Sequence, residues 1–394
     1  MQKTSLVVAV ALATTASLAH AEVYDARAMG RGGVGLTMGE YNQAIQNPAL
    51  LNRFDANDEF SFGLNVGAFA SDEDGMIDDV DTIGDDLDDL EECGQTNPGS
   101  CSPEPLKASL AGLDQKVGQI GLGAALMIGV PNNTLPAALV VRGYADAGVQ
   151  FRYDNGDNAV LDDIANGTNN NDNNGDGQTD QDDLQSAVQA SAIGVSELGL
   201  MFAREMEGFE LGATVKYQKI ELFDNVLKVS DFEGDDVIDE ENNYKEHTSL
   251  NVDLGLLQSF GADDQFTYAV TVENLIPQDF KGATGSTFSM NPVPVAAVGY
   301  HSGWIKAEAS MDLNDRGGYG LLGSRKFARA GVELSAGRHA HLRLGYSKDL
   351  NNEVSSLMTV GLGITPWDRA NLDLAVQQGE GETYGVALQL GFKI

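Results

Sequence analysis

Over most of its length the chain repeats one arrangement, in which large apolar side chains alternate with small or polar ones. In residues 119–130, Ile120, Leu122, Ala124, Leu126, Ile128 and Val130 fall on one face, and Gly121, Gly123, Ala125, Met127 and Gly129 on the other. A period of two belongs to an extended strand whose faces meet different surroundings. Phe266, Tyr268, Val270 and Val272 repeat it, as do Leu372, Leu374 and Val376, and Tyr384, Val386, Leu388, Leu390 and Phe392. The pattern predicts about fourteen strands. They fall near 59–70, 119–130, 137–153, 192–205, 208–230, 244–260, 265–276, 292–301, 304–313, 325–337, 341–349, 355–365, 370–378 and 383–393.

The connections sort these strands in space. If the first strand ascends, every descending strand ends in a short turn: 131–136, 206–207, 261–264, 302–303, 338–340 and 366–369. Every long insertion then lies on the opposite rim. Short turns on one side and long loops on the other mark an outer-membrane barrel, with periplasmic turns and extracellular loops. The expectation is therefore an all-β, antiparallel, transmembrane β-barrel over 57–394, with apolar faces toward lipid and small and polar faces toward the lumen. The alternative is a soluble barrel or sandwich with a solvated polar face. Lys216, Asp253, Glu273, Lys306, Glu308, Glu333, Arg343 and Asp373, with Glu210, fall on the lumen side, and a polar, partly hydrated lumen is expected.

The formal net charge is −35, which excludes nucleic acid as a partner because a phosphate backbone selects a basic face. Most of that charge is concentrated. Residues 71–92 hold 12 acidic side chains and 154–183 hold 9, with no basic residue in either, while 231–246 hold 8 with only Lys245. The acidic insertions, about 71–118, 154–191 and 231–243, are outer loops on a nearly neutral body.

Met1–Ala21 has Lys3, an apolar run from Leu6 to Leu12 and Ala19-His20-Ala21 before Glu22, the anatomy of a secretory signal cleaved after Ala21. Export to an oxidising compartment allows Cys93 and Cys101 to form a disulfide, the alternative being two free thiols.

Between the signal and the first strand lie Met29-Gly30-Arg31-Gly32-Gly33 and Asn47-Pro48-Ala49. No Gly-Lys-Ser/Thr follows the glycines and no strand precedes them, so they are not a phosphate loop. Together these pieces resemble the N-terminal hatch of the FadL family of outer-membrane transporters. The resemblance implies a hatch over 22–56 plugging a fourteen-stranded barrel, both termini inside, and passage of a hydrophobic or amphipathic solute. The acidic, Leu-punctuated insert after the first strand looks most like the exported TraF-type ("conjugal transfer") barrel family. The chain departs from FadL transporters in ending Phe392-Lys393-Ile394 and in having acidic rather than apolar outer loops.

Residues 172–183 match a calcium loop. Asp172, Asn174, Asp176, Asp180 and Asp183 occupy positions one, three, five, nine and twelve, Gly177 supplies the turn and Gln178 a carbonyl. A solvated Asn/Asp-rich loop is the alternative. Asp231, Glu233, Asp235 and Asp239 echo the pattern without its glycine and read as solvated. Leu184–Ala192 is expected to form a helix leaving the loop. Ile77, Val80, Ile83, Leu87 and Leu90, then Leu106, Leu110, Leu113 and Val117, recur at helical spacing and predict a helical hairpin over the barrel mouth.

Catalysis finds little support. No H-E-x-x-H or G-x-S-x-G occurs, and His339 and His341 sit at a turn where solvation is expected. The sequence thus points to a hatch-gated channel, with a calcium-loaded surface adhesion or conjugation-associated protein as the alternative. Expected partners are outer-membrane lipid, lipopolysaccharide, the barrel-assembly machinery and a small hydrophobic solute.

Overall fold

The computed structural model describes residues 25–54, 58–172, 175, 181–228, 243–367 and 369–394. The signal segment lies outside these residues, as do the acidic echo at 231–239 and Asn174, Asp176, Gln178 and Asp180 of the calcium pattern.

Fourteen strands close into one barrel: β1 (Ser61–Asp72), β2 (Val117–Val130), β3 (Ala137–Arg152), β4 (Ala187–Met206), β5 (Phe209–Lys228), β6 (Tyr244–Phe260), β7 (Phe266–Glu273), β10 (Val293–Ser302), β11 (Ile305–Asp312), β12 (Phe327–Ala336), β13 (Ala340–Asp349), β14 (Leu357–Trp367), β15 (Ala370–Gln378) and β16 (Glu382–Lys393). All pairs are antiparallel, and β1 closes the ring on β16 in a register running from Ser61 opposite Lys393 to Asp72 opposite Glu382. Closure leaves no unpaired sheet edge at this seam, which a barrel in hydrocarbon requires. β8 (Gln278–Lys281) and β9 (Thr287–Met290) form a separate two-stranded hairpin.

Strand parity sets the faces. On β14, Met358, Val360, Leu362 and Ile364 point outward and are exposed, while Leu357, Thr359, Gly361 and Gly363 are buried inward. The outer face therefore presents an apolar belt that water would not tolerate and lipid would. At the short-turn rim Phe260 stacks on Phe266 at 5.6 Å, Phe266 meets Tyr300 at 5.3 Å, and Trp304 and Trp367 stand exposed. Aromatic rings at this level are the girdle a lipid interface favours. Among the described residues no helix is long and apolar enough to cross a membrane.

The long-loop rim carries a cap. Helices α2 (Met76–Thr96) and α3 (Glu104–Leu113) form a hairpin, with Cys93 and Cys101 joined as a disulfide, and α4 (Asp157–Asn166) packs beside them. Ile83, Leu90, Leu106, Leu110, Leu113, Leu161 and Ile164 make a small core of their own there. Asp163 organises the chain after α4, accepting from the Asn170 amide at 3.0 Å and from Thr168, Asn170 and Asn171 side chains. Burial would raise its pKa, but these hydrogen bonds outweigh burial and hold it below the usual Asp value.

Two expectations need correction. The helix expected over Leu184–Ala192 is absent: β4 begins at Ala187, paired with Arg152, because continuing the ladder with β3 and β5 satisfies that backbone along both edges. The second acidic insertion is shortened accordingly. Residues 277–291, the gap between the strands predicted at 265–276 and 292–301, hold β8 and β9, and these fold into the bore.

Candidate functional site

The bore is where the chain's buried charge collects, and it is filled. From the short-turn side it holds residues 25–53. Asp25 caps the short helix α1 (Ala26–Met29), accepting from the Arg27 and Ala28 amides at 2.8 and 3.1 Å. Gly32 (φ 75°) and Gly33 (φ 85°) then turn the chain back through left-handed conformations that side chains resist. Asn47 is fully buried. Its Nδ2 donates to the Leu36 carbonyl at 3.0 Å and its Oδ1 accepts from the Ala49 amide at 3.0 Å, while Pro48 opens the 3-10 turn Pro48–Asn52.

The wall is cut to receive these motifs. A Cβ on Gly331 or Gly345 would collide with the backbone of Arg31 and Gly32, and one on Gly361 would stand 2.9 Å from the Gly30 Cα. Gly212 and Gly255 leave room in the same way for Asn47, Pro48 and Ala49. The hatch motif residues thus have wall glycines as counterparts, a pairing that the period-two pattern does not display.

Charge secures the fit. Arg27 Nε meets Asp373 at 2.8 Å, Asp373 meets Arg343 at 2.7 Å, Arg343 Nε meets Glu333 at 2.6 Å, and Glu333 reaches Arg31 at 3.5 Å and Lys306 at 3.6 Å. This ladder alternates cation and anion, with three wall charges in a row tied at both ends to hatch arginines, so neither side is left with an unpaired buried charge, the most costly arrangement in a dry interior. Glu308 on β11 accepts from the amides of Gly35, Leu36, Thr37 and Met38 at 2.8–3.3 Å and from Thr37 Oγ1 at 2.7 Å. Glu210 pairs with Arg53 at 3.2 Å.

Above the hatch Lys216 lies between Glu197 (3.2 Å) and Asp253 (2.9 Å), and Arg142 pairs with Glu197. Arg316 joins Asp312 at 2.9 Å to Glu273 at 3.0 Å, and Arg329 joins Asp312 at 3.2 Å. All eight lumen candidates face inward. Instead of a hydrated channel, however, they line a bore crossed by ion pairs, because facing wall residues, the inward strap and the hatch supply partners that the barrel pattern alone could not reveal. Arg142, Glu197, Asp312, Arg316 and Arg329 belong to the site and were missed. Arg142 and Glu197 lie amid apolar and small residues, where parity with Val140, Tyr144 and Val195 is what marks them as inward.

A cavity of about 70 Å³ remains between hatch and wall, lined by Met29, Leu36, Ile45, Arg142, Ser310 and Ser347 among others. It mixes apolar and charged walls and holds no more than a few waters.

His341 is not solvated as expected: its Nδ1 is 2.9 Å from Ser335 Oγ and 3.8 Å from Glu333 Oε1. Both partners reach the same nitrogen, so the carboxylate cannot orient the ring through one nitrogen while the other activates the hydroxyl, as a catalytic triad requires. Among the described residues no three His, Cys, Asp or Glu side chains are grouped to hold a metal. Of the calcium pattern, Asp183 is fully buried and Asp172 Oδ1 accepts from the Gly175 amide at 2.5 Å.

These features define a plugged, fourteen-stranded antiparallel barrel, a fold shared with solved outer-membrane transporters. The toluene transporter TbuX of Ralstonia pickettii superposes with a TM-score of 0.54 at 9% identity, over 96% of this chain and 100% of that one. The Pseudomonas putida toluene transporter TodX gives 0.52 at 11% identity, over 96% and 99%. Residues 44–312 match the family described as F plasmid transfer operon, TraF, protein, and the chain belongs to that family. No curated protein sequence matches it.

Proposed function

We propose that the protein is an outer-membrane channel that passes a small hydrophobic or amphipathic molecule past a hatch formed by its N-terminal segment. The observation that carries this reading is how residues 25–53 are held. The contacts that fix them are side-chain ion pairs, a carboxylate receiving amides, glycine faces, and apolar packing such as Leu50 and Leu51 against Met127, Val140 and Met201, all of which can part without breaking the barrel's hydrogen-bond ladders. A purely structural barrel has no need of a removable interior. The mixed lining around Met29, Leu36, Ile45 and Arg142 suits a solute with an apolar body and a polar end. That TbuX and TodX, which share this fold, are toluene transporters supports the same class of cargo. On this reading the chain is a channel rather than an enzyme, exported with loss of residues 1–21, inserted by the barrel-assembly machinery, and set among lipid and lipopolysaccharide. Calcium at 172–183 steadies the outer loop.

The test is uptake into liposomes containing the native chain, measured for a series of solutes from sugars to small aromatic alcohols and acids. Faster entry of the aromatic solutes than into protein-free liposomes is expected. Equal entry for every solute in both would overturn the channel reading.

A further inference from the structure

We propose that the barrel has a second gate, at its outer end, separate from the hatch and latched by Asp224. The inference rests on the channel reading and concerns its control. Two outer segments turn inward rather than outward: the β8–β9 hairpin at 278–290 and a strap at 313–326 between β11 and β12. Phe280, Phe288 and Met290 from the hairpin and Tyr319 and Leu322 from the strap are almost wholly buried. They lie against Tyr144, Ile193, Val195, Ile220 and Leu222, which face into the bore from β3, β4 and β5.

The strap crosses the lumen. It is a tight turn, with Tyr319 and Leu322 exchanging backbone bonds at 2.7 and 2.9 Å and Arg316 bridged to Arg325. At its root beside β12, Arg325 reaches Asp146 on β3 at 3.3 Å and Gln119 on β2 at 2.7 Å. Gly317 abuts the Ser289 carbonyl, so strap and hairpin pack directly against each other.

Asp224 on β5 gathers both pieces. Its carboxylate accepts from Thr284 Oγ1 of the hairpin at 2.9 Å, from Tyr319 Oη of the strap, and from Ser191 Oγ on β4 at 3.2 Å. The hairpin's root, by contrast, is pinned: Asn251 on β6 bonds the Ile276 amide and carbonyl at 2.9 and 3.0 Å. A body fixed at its root and held across the bore by Asp224, whose carboxylate joins both strap and hairpin to the wall, with Arg325–Asp146 bracing the strap's base, is a lid. Opening it exposes five large apolar side chains and their seat to water, which keeps it closed until a solute with an apolar body can occupy that seat in their place. Hatch and lid then stand in series, and neither alone governs passage.

Both native cysteines are joined to each other, so a single introduced cysteine is a unique reporter. Leu322→Cys on the strap and, separately, Met290→Cys on the hairpin are exposed to a membrane-impermeant maleimide added outside, in the full chain. Slow labelling at both sites is expected. Asp224→Ala should quicken both on the order of tenfold or more, as expected for loss of charged hydrogen bonds. Fast labelling before the latch is cut, or no change after it, overturns the lid. Solute uptake is then compared for the native chain, Glu308→Ala, Asp224→Ala and the double variant, each checked for heat-modifiable migration. A double variant faster than the two singles combined supports gates in series, and Glu308→Ala alone matching the double overturns the second gate. If labelling rises while no variant passes solute, the lid stands and the channel reading falls.

Discussion

Gly30 of the hatch and Gly361 of β14 meet backbone to backbone: a Cβ added to Gly30 would stand 2.8 Å from the Cα of Gly361. No side chain fits between them, so the hatch can lie against the wall only while both positions stay bare. Gly361→Val should force the hatch away at a cost of about 1–3 kcal/mol, the usual range for overpacking. The barrel ladder itself should survive, because Gly361 carries no outward side chain. Protease cutting within 25–53 should increase while heat-modifiable migration is retained.

Glu308 makes a second, chemically different hold. Removing it strands four amides that its carboxylate received, at about 1–3 kcal/mol for each group left unsatisfied. Glu308→Ala should therefore speed hydrogen exchange at residues 35–38 well beyond that at Ala26–Met29. Uniform acceleration across the whole hatch would mean that it moves as one rigid piece.

The strands were legible because the two faces of a barrel wall meet different surroundings and leave a period-two record. Predicted and observed strands agree closely, from 119–130 against Val117–Val130 to 383–393 against Glu382–Lys393. The inward hairpin was not legible, since four-residue strands around Gly282-Ala283-Thr284-Gly285 leave too short a pattern. Its one signal was Phe280, Phe288 and Met290, apolar side chains in a stretch otherwise suited to solvent. The ion-pair ladder was half legible: Glu333, Arg343 and Asp373 fell on the lumen face, but their partners Arg27 and Arg31 lie in the hatch, which has no period to read. The glycines of β12–β14 looked like ordinary small lumen residues and became meaningful only once Gly30–Gly32 were found against them.

Acid should loosen the outer cap before it affects the barrel. The carboxyl of Asp163 is held below the usual Asp value, so its contribution is present above that usual value and is lost as pH falls through the lower folded value. Protease cutting around residues 166–171 should rise on acidification into that range, and Asp163→Asn should show the same cutting at neutral pH. A variant with an unchanged pH profile would show that another group controls the loop.

Calcium should protect the segment from Asn166 to Leu184. Carboxylates brought together without a cation repel, whereas a divalent ion shared among them at roughly 2.3–2.6 Å converts that repulsion into coordination. Chelator should increase cutting there without unfolding the barrel, and Asp176→Ala should act like chelator. Identical cutting with and without calcium would leave 172–183 as a solvated loop.

The most direct test of the whole account is to block the route it assigns. Ser347 on β13 is buried and faces the cavity beside the hatch, so Ser347→Trp fills that space from inside and leaves the lipid-facing surface unchanged. Uptake of a small aromatic solute should be measured in liposomes holding equal amounts of the native chain and of this variant, both confirmed as inserted by heat-modifiable migration. Uptake that disappears in the variant is the predicted result. Uptake at the native rate would contradict a path between hatch and wall.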